Sequence, residues 1–425
     1  MVSERGVWWA AGALAVGVGS AALSGAAVAA ADTGSVGDHP GKSATRSAAH
    51  TASAKPSLRV TAASHSVRSA DAPVPIAVKA NRPDRGSVGS ARVSRTVASA
   101  PPRRIAPEAQ VSSLTANAVD AAPVDGVTGV KVGVAKLDIP CGPNGYKANA
   151  RWYFPTQADG SVQASGVIWL QHGFGAIAPF YSALATELAQ QTNSIVVTPT
   201  LPFLPSLFCP GCWLNGDPMQ EAIATMFLGS RAGLNISANA AGFQGALPEQ
   251  FLMSGHSAGG GLATAVAGYY VDDLGEDTTD NRLLGVVMFD GVSSSSEGFA
   301  DSIASLDTLD IPDYTVAAPS QAWNAFGSTT NELVSLRPGQ FVGVELVGGS
   351  HVDSMLGVNP ILDLILQLVT GFSPAGNTEA AYTLSSGWIN DMYVGSGPTD
   401  PTYGIYGSAG DPIILGEAAG IVLPA

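Results

Sequence analysis

The segment 248–261 constrains the fold more than any other stretch, because an apolar run passes through a Gly-x-Ser-x-Gly turn into a helix-like run. Gly255 and Gly259 lack a Cβ atom, so neighbouring backbones can approach the turn closely around a strained central residue. The segment predicts a strand, a sharp turn and a helix, with Ser257 at the tip and the helix N-terminus aimed at developing negative charge. An ordinary glycine-rich connection between strand and helix is the alternative interpretation.

The first residues of the chain resemble a targeting segment. Glu4-Arg5, an apolar stretch and the small-residue motif Ala27-Val28-Ala29 predict a secretory signal peptide over residues 1–30. We therefore expect a secreted or cell-envelope-associated protein. The uncharged stretch 6–31 is long enough to span a bilayer, so an uncleaved membrane anchor is the alternative.

Composition separates a tail from a globular part near residue 125. Residues 31–125 are rich in Ala, Ser, Pro and Arg without sustained periodicity, which predicts a disordered linker. Residues 1–125 hold 13 basic and 8 acidic residues, a net charge of +5, whereas the remaining 300 hold 7 basic and 26 acidic, a net charge of −19. The basic tail is either a solvated linker or a weak attachment to an anionic envelope, and the acidic part argues against a nucleic-acid partner.

Three cysteines occur, all in the globular part. Cys209 and Cys212 share a tight Cys-Pro-Gly-Cys turn, so in an exported protein we expect a disulfide between them, with Cys141 free or competing for a partner. A redox role or a zinc site is disfavoured, because no thioredoxin-like pattern and no further His or Cys lies nearby.

Residues 126–395 predict an α/β domain. Two alternating runs, 130–139 and 147–154, predict an antiparallel pair of strands. Continuous apolar runs with helix-like stretches between them then predict strands that are buried on both faces. The predicted fold is a doubly wound, mostly parallel sheet with helices on both faces. The runs predicted as buried strands are 166–170, 194–198, 251–253, 283–289, 314–318 and 341–347.

Several other stretches complete this prediction. Helices are predicted over 221–235, 361–369 and 380–393, and residues 396–425 predict a short extension packed on the domain. The long loop between 199 and 218 carries Phe203, Phe208 and Trp213, together with further apolar residues. These aromatic side chains either wall an acyl pocket or pack against the core.

A serine nucleophile needs a base, and elimination among six histidines identifies one. Three of them, His39, His50 and His65, lie in the predicted tail. His172 belongs to a strand-end loop, and the side chain of His256 must point away from its neighbour Ser257. His351 remains, just after the last predicted strand, where it would serve as the general base. A structural histidine is the alternative.

The triad also requires an acid that orients this histidine. Asp290 follows the strand after the serine turn, at a carboxyl end where ligand-facing residues gather. The next strand runs into 319–324, which holds no carboxylate. Asp313 lies at the opposite end of that strand, and Asp353 is so close to His351 that it is expected to cap the next turn. Asp290 is therefore the predicted acid, and the order Ser, Asp, His is that of α/β hydrolases.

Acyl transfer develops an oxyanion that needs two positioned donors. The N–H of Ala258, after the nucleophile, is predicted as one donor. The N–H of Phe174, in the loop after the first buried strand, is predicted as the other. A loop that merely connects strand and helix is the alternative interpretation.

These motifs together resemble the α/β-hydrolase superfamily over about residues 127–395. The residues that carry the resemblance are His172-Gly-Phe-Gly175, Gly255-His-Ser-Ala-Gly259, Asp290 and Gly349-Ser-His351. The early acid is similar to the chlorophyllase and platelet-activating-factor acetylhydrolase-like branch. The oxyanion loop and the Gly-Gly-Ser-His motif resemble polyester hydrolases and cutinases, although the acid that those proteins carry after the later strand is missing. The His-Gly-Gly-Gly loop of hormone-sensitive-lipase-like esterases is also missing.

The resemblance implies carboxylic ester hydrolysis through an acyl-enzyme, without a metal or other cofactor. The first hypothesis is thus an exported, monomeric serine hydrolase acting on an apolar or lipid-like small-molecule ester. A second hypothesis replaces water with an alcohol and makes the protein an acyltransferase on envelope lipids. A third is a non-catalytic wall or binding protein on the same fold.

Overall fold

The computed structural model describes residues 126–425. The predicted signal peptide 1–30, the predicted linker 31–125 and the three histidines of the tail lie outside the described residues. Within the described part, no helix combines the length and the apolar character that a membrane span requires.

Ten strands form one sheet in the order β1-β2-β4-β3-β5-β6-β7-β8-β10-β9. The pairs from β3 to β8 are all parallel, whereas β2 is antiparallel to both β1 and β4. The predicted doubly wound, mostly parallel sheet with an opening antiparallel pair is therefore confirmed. The strands are β1 Val127–Ile139, β2 Tyr146–Gln157, β3 Gly166–Gln171, β4 Ser194–Thr200, β5 Phe251–His256, β6 Leu283–Phe289, β7 Asp313–Ala317, β8 Gly343–Leu346, β9 Pro412–Leu415 and β10 Ala418–Val422.

Helices cover both faces of the sheet, and each face has its own apolar core. Trp169 and Met253 contribute to one core with side chains of α2 to α5, whereas Leu252 and Val287 contribute to the other with α1 and α8. Strands β3 and β5 are buried along their whole length because both faces are covered. The helices are α1 Ser182–Gln191, α2 Asp217–Thr225, α3 Ala232–Ala240, α4 Ala258–Leu274, α5 Ser296–Asp307, α6 Ser328–Leu336, α7 Pro360–Thr370 and α8 Asn377–Val394.

The single helix predicted over 221–235 is wrong, because the chain forms α2 and α3 with a break between them. Gly229 and Arg231 adopt positive φ angles of 54° and 49° in this break. The Arg231 guanidinium donates hydrogen bonds to the carbonyl oxygens of Leu247 and Glu249. These distant bonds stabilise a backbone turn that local helical spacing does not reveal.

The cysteines agree with one of the two arrangements expected from the sequence, in which Cys141 competes for a partner. The Cys212 sulfur lies within bonding distance of both Cys141 and Cys209, with Cα–Cα distances of 5.9 and 5.3 Å. Because a sulfur atom forms one disulfide at a time, the three cysteines make one bridge with two possible partners for Cys212. Cys141, 71 residues away in sequence, therefore lies beside the Cys-x-x-Cys turn.

Residues after α8 extend the sheet. β9 and β10 form an antiparallel hairpin, and β10 pairs antiparallel with β8 through Gly420 opposite Leu346 and Val422 opposite Val344. The turn-rich end of the sequence thus occupies the edge of β8, the strand that precedes His351.

Candidate active site

The turn between β5 and α4 holds Ser257 in a strained conformation, with φ 55° and ψ −126°. A Cβ atom on Gly255 would collide with the Gly259 carbonyl, and one on Gly259 would collide with the Gln171 carbonyl. The Ser257 N–H donates to the Phe289 carbonyl at 3.1 Å, and the Ser257 carbonyl accepts the Val292 N–H at 2.8 Å. The turn is therefore fixed to the end of β6, and Ser257 is held at its tip at positive φ.

The structure brings two of the predicted residues into direct contact. The Nδ1 atom of His351 lies 2.6 Å from Oδ2 of Asp290, and both side chains are buried. Because the carboxylate accepts the Nδ1–H, the Nε2 atom of His351 is the nitrogen left to accept a proton from a serine hydroxyl.

Asp290 itself is held from several sides. It adopts a φ of 47°, and its N–H donates to the Val316 carbonyl at 2.8 Å. Its second oxygen, Oδ1, accepts the Ala318 N–H at 3.1 Å and the Asn324 Nδ2–H at 3.2 Å. Both carboxylate oxygens are thus occupied, which fixes the plane of the carboxylate relative to the imidazole.

Asn324 is a site residue that the sequence analysis missed. It is 2% exposed, and its side-chain oxygen also accepts the N–H groups of Gln321 and Gly327. The sequence carries one signal for it, because the amide stands in the segment after β7 where an acid was sought. Its contact with the Asp290–His351 pair is to the Asp290 carboxylate.

A second missed feature is a buried chain of hydrogen bonds beneath the turn. The Gly173 N–H donates to Tyr181 Oη at 3.0 Å, and this hydroxyl lies 2.7 Å from His256 Nδ1. His256 Nε2 lies 2.6 Å from the His351 carbonyl oxygen. The side chain of His256 points away from its neighbour Ser257, as expected, but it reaches the backbone of the proposed base.

The positions of the protons in this chain of hydrogen bonds follow from the charge state of His256. Burial and the neighbouring His351 hold the pKa of His256 well below its usual value, so His256 is neutral. Its Nε2 carries the proton and donates to a carbonyl, and its Nδ1 accepts the hydroxyl proton of Tyr181. The loop at Gly173 and the loop at His351 are therefore joined through one residue of the serine turn.

The two predicted oxyanion donors flank this arrangement. A Cβ atom on Gly173 would lie 3.0 Å from Ser257 Cβ, so the loop that carries Phe174 packs against Ser257. Within residues 126–425, neither the Phe174 N–H nor the Ala258 N–H donates to another protein group. Two free N–H groups beside a serine are suited to an oxyanion.

His172 anchors the same loop from behind. Its Nε2 accepts the Leu201 N–H at 2.9 Å, and its Nδ1 lies 2.8 Å from the Gly173 carbonyl. Burial lowers the pKa of His172 to about 4, so this histidine is neutral and joins the end of β4 to the loop.

The loop that carries His351 is supported by Asp353. Its Oδ2 accepts the Ser350 N–H at 3.0 Å, so Asp353 supports the turn before it and not, as expected from the sequence, the next one. Burial raises the pKa of Asp353 to about 6, despite the hydrogen bonds that favour its charged form.

The three aromatic residues predicted to wall a pocket have different surroundings. The Phe203 ring packs edge-to-face against the Phe174 ring, with centroids 5.3 Å apart. Trp213 is half-buried, whereas Phe208 is 97% exposed. A side chain in solvent on all sides walls no pocket, so the prediction for Phe208 is corrected. Phe203 is the one of the three beside a site residue.

Potential metal ligands converge at one place in the described part of the chain. Cys141, Cys209 and Cys212 are the one group there of three or more His, Cys, Asp or Glu side chains with converging ligand atoms. Their sulfurs are at disulfide distances, and the Ser257–Asp290–His351 group belongs to no such cluster.

Strand order and turn geometry define the class of fold. A central parallel sheet with an antiparallel second strand, and a serine turn between β5 and the following helix, is the α/β-hydrolase fold. Neither protein-family models nor curated proteins give a match to the chain.

Solved structures of esterases are similar to this chain. An esterase from Pyrobaculum calidifontis is 14% identical, with 64% of this chain and 88% of that one covered and a TM-score of 0.38. Carboxyl esterase 2 from Tuber melanosporum is 15% identical, with 64% and 89% covered and a TM-score of 0.40. A thermostable esterase from Pseudomonas putida is 14% identical, with 64% and 86% covered and a TM-score of 0.41. We draw no functional conclusion from likenesses at this level.

Proposed function

We propose that the protein is an exported serine hydrolase that cleaves carboxylic esters through an acyl-enzyme on Ser257. The observations that carry the proposal are the buried 2.6 Å hydrogen bond between His351 and Asp290 and the positive φ of Ser257 on the turn after β5. Acyl transfer requires a base held in one orientation and a nucleophile presented on a rigid turn.

Each residue has one role in the proposed reaction. His351 Nε2 takes the Ser257 hydroxyl proton as Oγ attacks the ester carbonyl, and the N–H groups of Phe174 and Ala258 stabilise the oxyanion. The same proton then passes to the departing alcohol as the ester C–O bond breaks. Water attacks the acyl-enzyme, His351 accepts its proton, and the acid leaves as this proton returns to Ser257. Asp290 orients the imidazole and stabilises its charged form.

An apolar acyl group is the substrate we favour, because the Phe203 ring packs on the residue that supplies an oxyanion donor. Membership of the chlorophyllase-like or the cutinase-like branch remains a prediction.

The proposal is tested with p-nitrophenyl esters of graded acyl length and the full-length chain. We expect Ser257→Ala to lower kcat by about 10³-fold or more. The matched control is Ser305→Ala on α5, where the hydroxyl bonds to Asp272 and the Asp301 carbonyl; we expect activity within about twofold. Equal residual turnover in wild type and Ser257→Ala would contradict the enzyme proposal and favour a binding protein. Products formed with and without an added alcohol distinguish hydrolysis from acyl transfer.

Export is tested separately from activity. We expect the mature protein in the medium or envelope fraction to begin near residue 30, as measured by intact mass. A membrane-bound protein that retains residues 1–30 would instead support the uncleaved anchor.

A further inference from the structure

Helix α7 packs Leu366 against the core but exposes a second apolar face to solvent. Its polar residues Asp363, Gln367 and Thr370 recur at helical spacing and form one stripe. None of its residues is buried. The opposite face is apolar and exposed: Ile361 is 71% exposed, Leu364 50% and Leu368 65%, and Phe372, just beyond the helix, 64%. Surface helices normally turn such a face towards the core.

The polar stripe is bonded to the protein, so this orientation is specific. The Asp363 carboxylate accepts the Gly357 N–H at 3.1 Å, and its second oxygen is buried. Thr370 Oγ1 lies 3.0 Å from Ser350 Oγ, on the residue before His351. Asn359 caps the helix by accepting the N–H groups of Ile361 and Leu362. These polar contacts and the packing of Leu366 against the core therefore hold the helix, while Ile361, Leu364 and Leu368 face outward.

A second exposed apolar segment lies at the same edge of the sheet. The loop 202–216 follows β4, and it contains Leu204, Leu207 and Phe208, which are 42%, 98% and 97% exposed. Because β4, β5 and β8 run parallel, this loop, the Ser257 turn and the segment leading to α7 all follow carboxyl ends of strands. The two apolar segments thus belong to the edge that carries the site.

The two exposed apolar segments are almost free of charge, whereas the rest of the globular part is strongly acidic. Residues 202–216 contain no charged residue, and residues 354–378 contain only Asp363, which bonds inward. The globular part as a whole carries a net charge of −19. Neither segment therefore offers outward-facing charged side chains to pair with those of a protein partner. An uncharged hydrocarbon surface is the partner that matches these properties.

We propose that α7 and the loop 202–216 dock the protein onto an electrically neutral lipid surface, with the Ser257 site facing the lipid. This inference rests on the proposed function, because it makes esters within a lipid assembly the substrates of that site. The lipid covers the apolar face of α7, and the protein body covers its polar stripe.

The test is binding of the full-length chain to phosphatidylcholine vesicles, measured by co-flotation. All proteins carry Ser257→Ala, so binding does not depend on turnover. We expect Leu364→Gln combined with Leu368→Gln to lower the partition coefficient about tenfold or more, because two exposed apolar side chains leave the interface. Glutamine is a good helix former, and circular dichroism verifies that the variant is folded.

The matched control is Ile236→Gln on α3, which is 70% exposed on a helix that packs against β1. We expect its partition coefficient to change less than twofold. Binding should also be insensitive to added salt, because the proposed contact is uncharged. Equal binding by the α7 variant, or binding that salt abolishes, would overturn the proposal, and the latter would assign binding to the basic tail.

Sedimentation without vesicles tests the other occupant of this face. We expect wild type and the α7 variant to have the same mass in solution. A wild-type dimer that the two α7 substitutions dissociate would overturn the proposal in favour of a second copy of the chain. Wild-type turnover of soluble p-nitrophenyl acetate tests the proposed function alone. Failure of the esterase proposal is therefore distinguishable from failure of the lipid-docking proposal.

Discussion

Two buried aspartates lie at opposite ends of neighbouring strands and have very different surroundings. Asp290 follows the carboxyl end of β6 and accepts hydrogen bonds from Ala318, Asn324 and His351. Asp313 begins β7 and accepts one, from Thr264 at 2.7 Å, while its Oδ1 has no partner among the described residues. Burial raises the pKa of Asp313 to about 7. The comparison shows that burial alone favours a neutral carboxyl, and that an acid which must orient a base needs donors around it.

The largest expected effect comes from making the same substitution at both positions. In Asp290→Asn the Ala318 and Asn324 donors hold the amide oxygen at the Oδ1 position, so an NH2 group faces His351 Nδ1 in place of an acceptor. We therefore expect kcat to fall by about 10³- to 10⁴-fold. Asp313→Asn, at the far end of the sheet, should leave kcat within about twofold. Steady-state kinetics on a soluble ester measures both. Similar losses in the two variants would show that the effect is structural.

Substitutions of Asn324 test whether the donors around Asp290 contribute to activity. Asn324→Ala removes one donor and should lower kcat about tenfold with little change in KM. Asn324→Asp adds a negative charge near the Asp290–His351 pair and should stabilise the imidazolium form. The acid limb of the kcat/KM profile should therefore move to higher pH by about one unit. An unchanged profile would mean that Asn324 acts only in folding.

The chain of hydrogen bonds from Gly173 through Tyr181 to His256 is expected to contribute less to kcat than Asn324 does. Tyr181→Phe removes the hydroxyl between two buried polar groups, and we expect kcat to fall roughly three- to tenfold as the Phe174 and His351 loops loosen. Tyr393→Phe is the matched control, because it removes a buried hydroxyl bonded to Ser194 at the start of β4. Both variants should lose similar stability in thermal melts. Equal kcat values in the two would contradict a role for the chain in positioning.

The smallest effect on activity, and the clearest on stability, is expected from Asp313→Asn. The folded-state pKa of about 7 exceeds the usual value of 3.8, so the folded state binds the extra proton. The binding of this proton by Asp313 contributes fully to stability below pH 3.8, and this contribution is lost as the pH rises through 7. The variant should match wild type near pH 4 and exceed its unfolding free energy at pH 8 by about 4 kcal/mol, which corresponds to the pKa shift from 3.8 to about 7.

Denaturant unfolding at several pH values measures this difference. The exposed Asp138→Asn, which loses a surface ion pair with Lys147, should change the pH slope little. Parallel stability curves for wild type and Asp313→Asn would show that Asp313 remains charged in the folded protein.

The central sheet could be predicted from the sequence because its strands are continuous apolar runs that require cover on both faces. Ser257, Asp290 and His351 could be singled out because each follows the carboxyl end of a strand. The roles of Asn324 and Tyr181 could not, since their partners lie 34 and 75 residues away in sequence. The break after α2 likewise depends on contacts of Arg231 with distant carbonyls.

Helix α7 shows a different limit of sequence reasoning. Its spacing predicts a helix, and a general rule assigns the apolar face of a helix to the core. The structure departs from that rule, because Asp363 and Thr370 bond to Gly357 and Ser350 while Leu366 packs inward, and Ile361, Leu364 and Leu368 stay exposed. Periodicity identifies the two faces of a helix but does not determine which one faces the protein.

The hairpin of β9 and β10 has a consequence for the order in which the molecule is made. Ser257, Asp290 and His351 all precede the hairpin in the chain, yet β10 covers the edge of the strand that leads to His351. During synthesis from the N-terminus, the ribosome has already passed all three residues while β8 still has one open edge. An open edge can template pairing with another polypeptide, so assembly of the base depends on a segment that arrives later. Termination within that segment would yield a chain with all three proposed catalytic residues and an exposed aggregation edge.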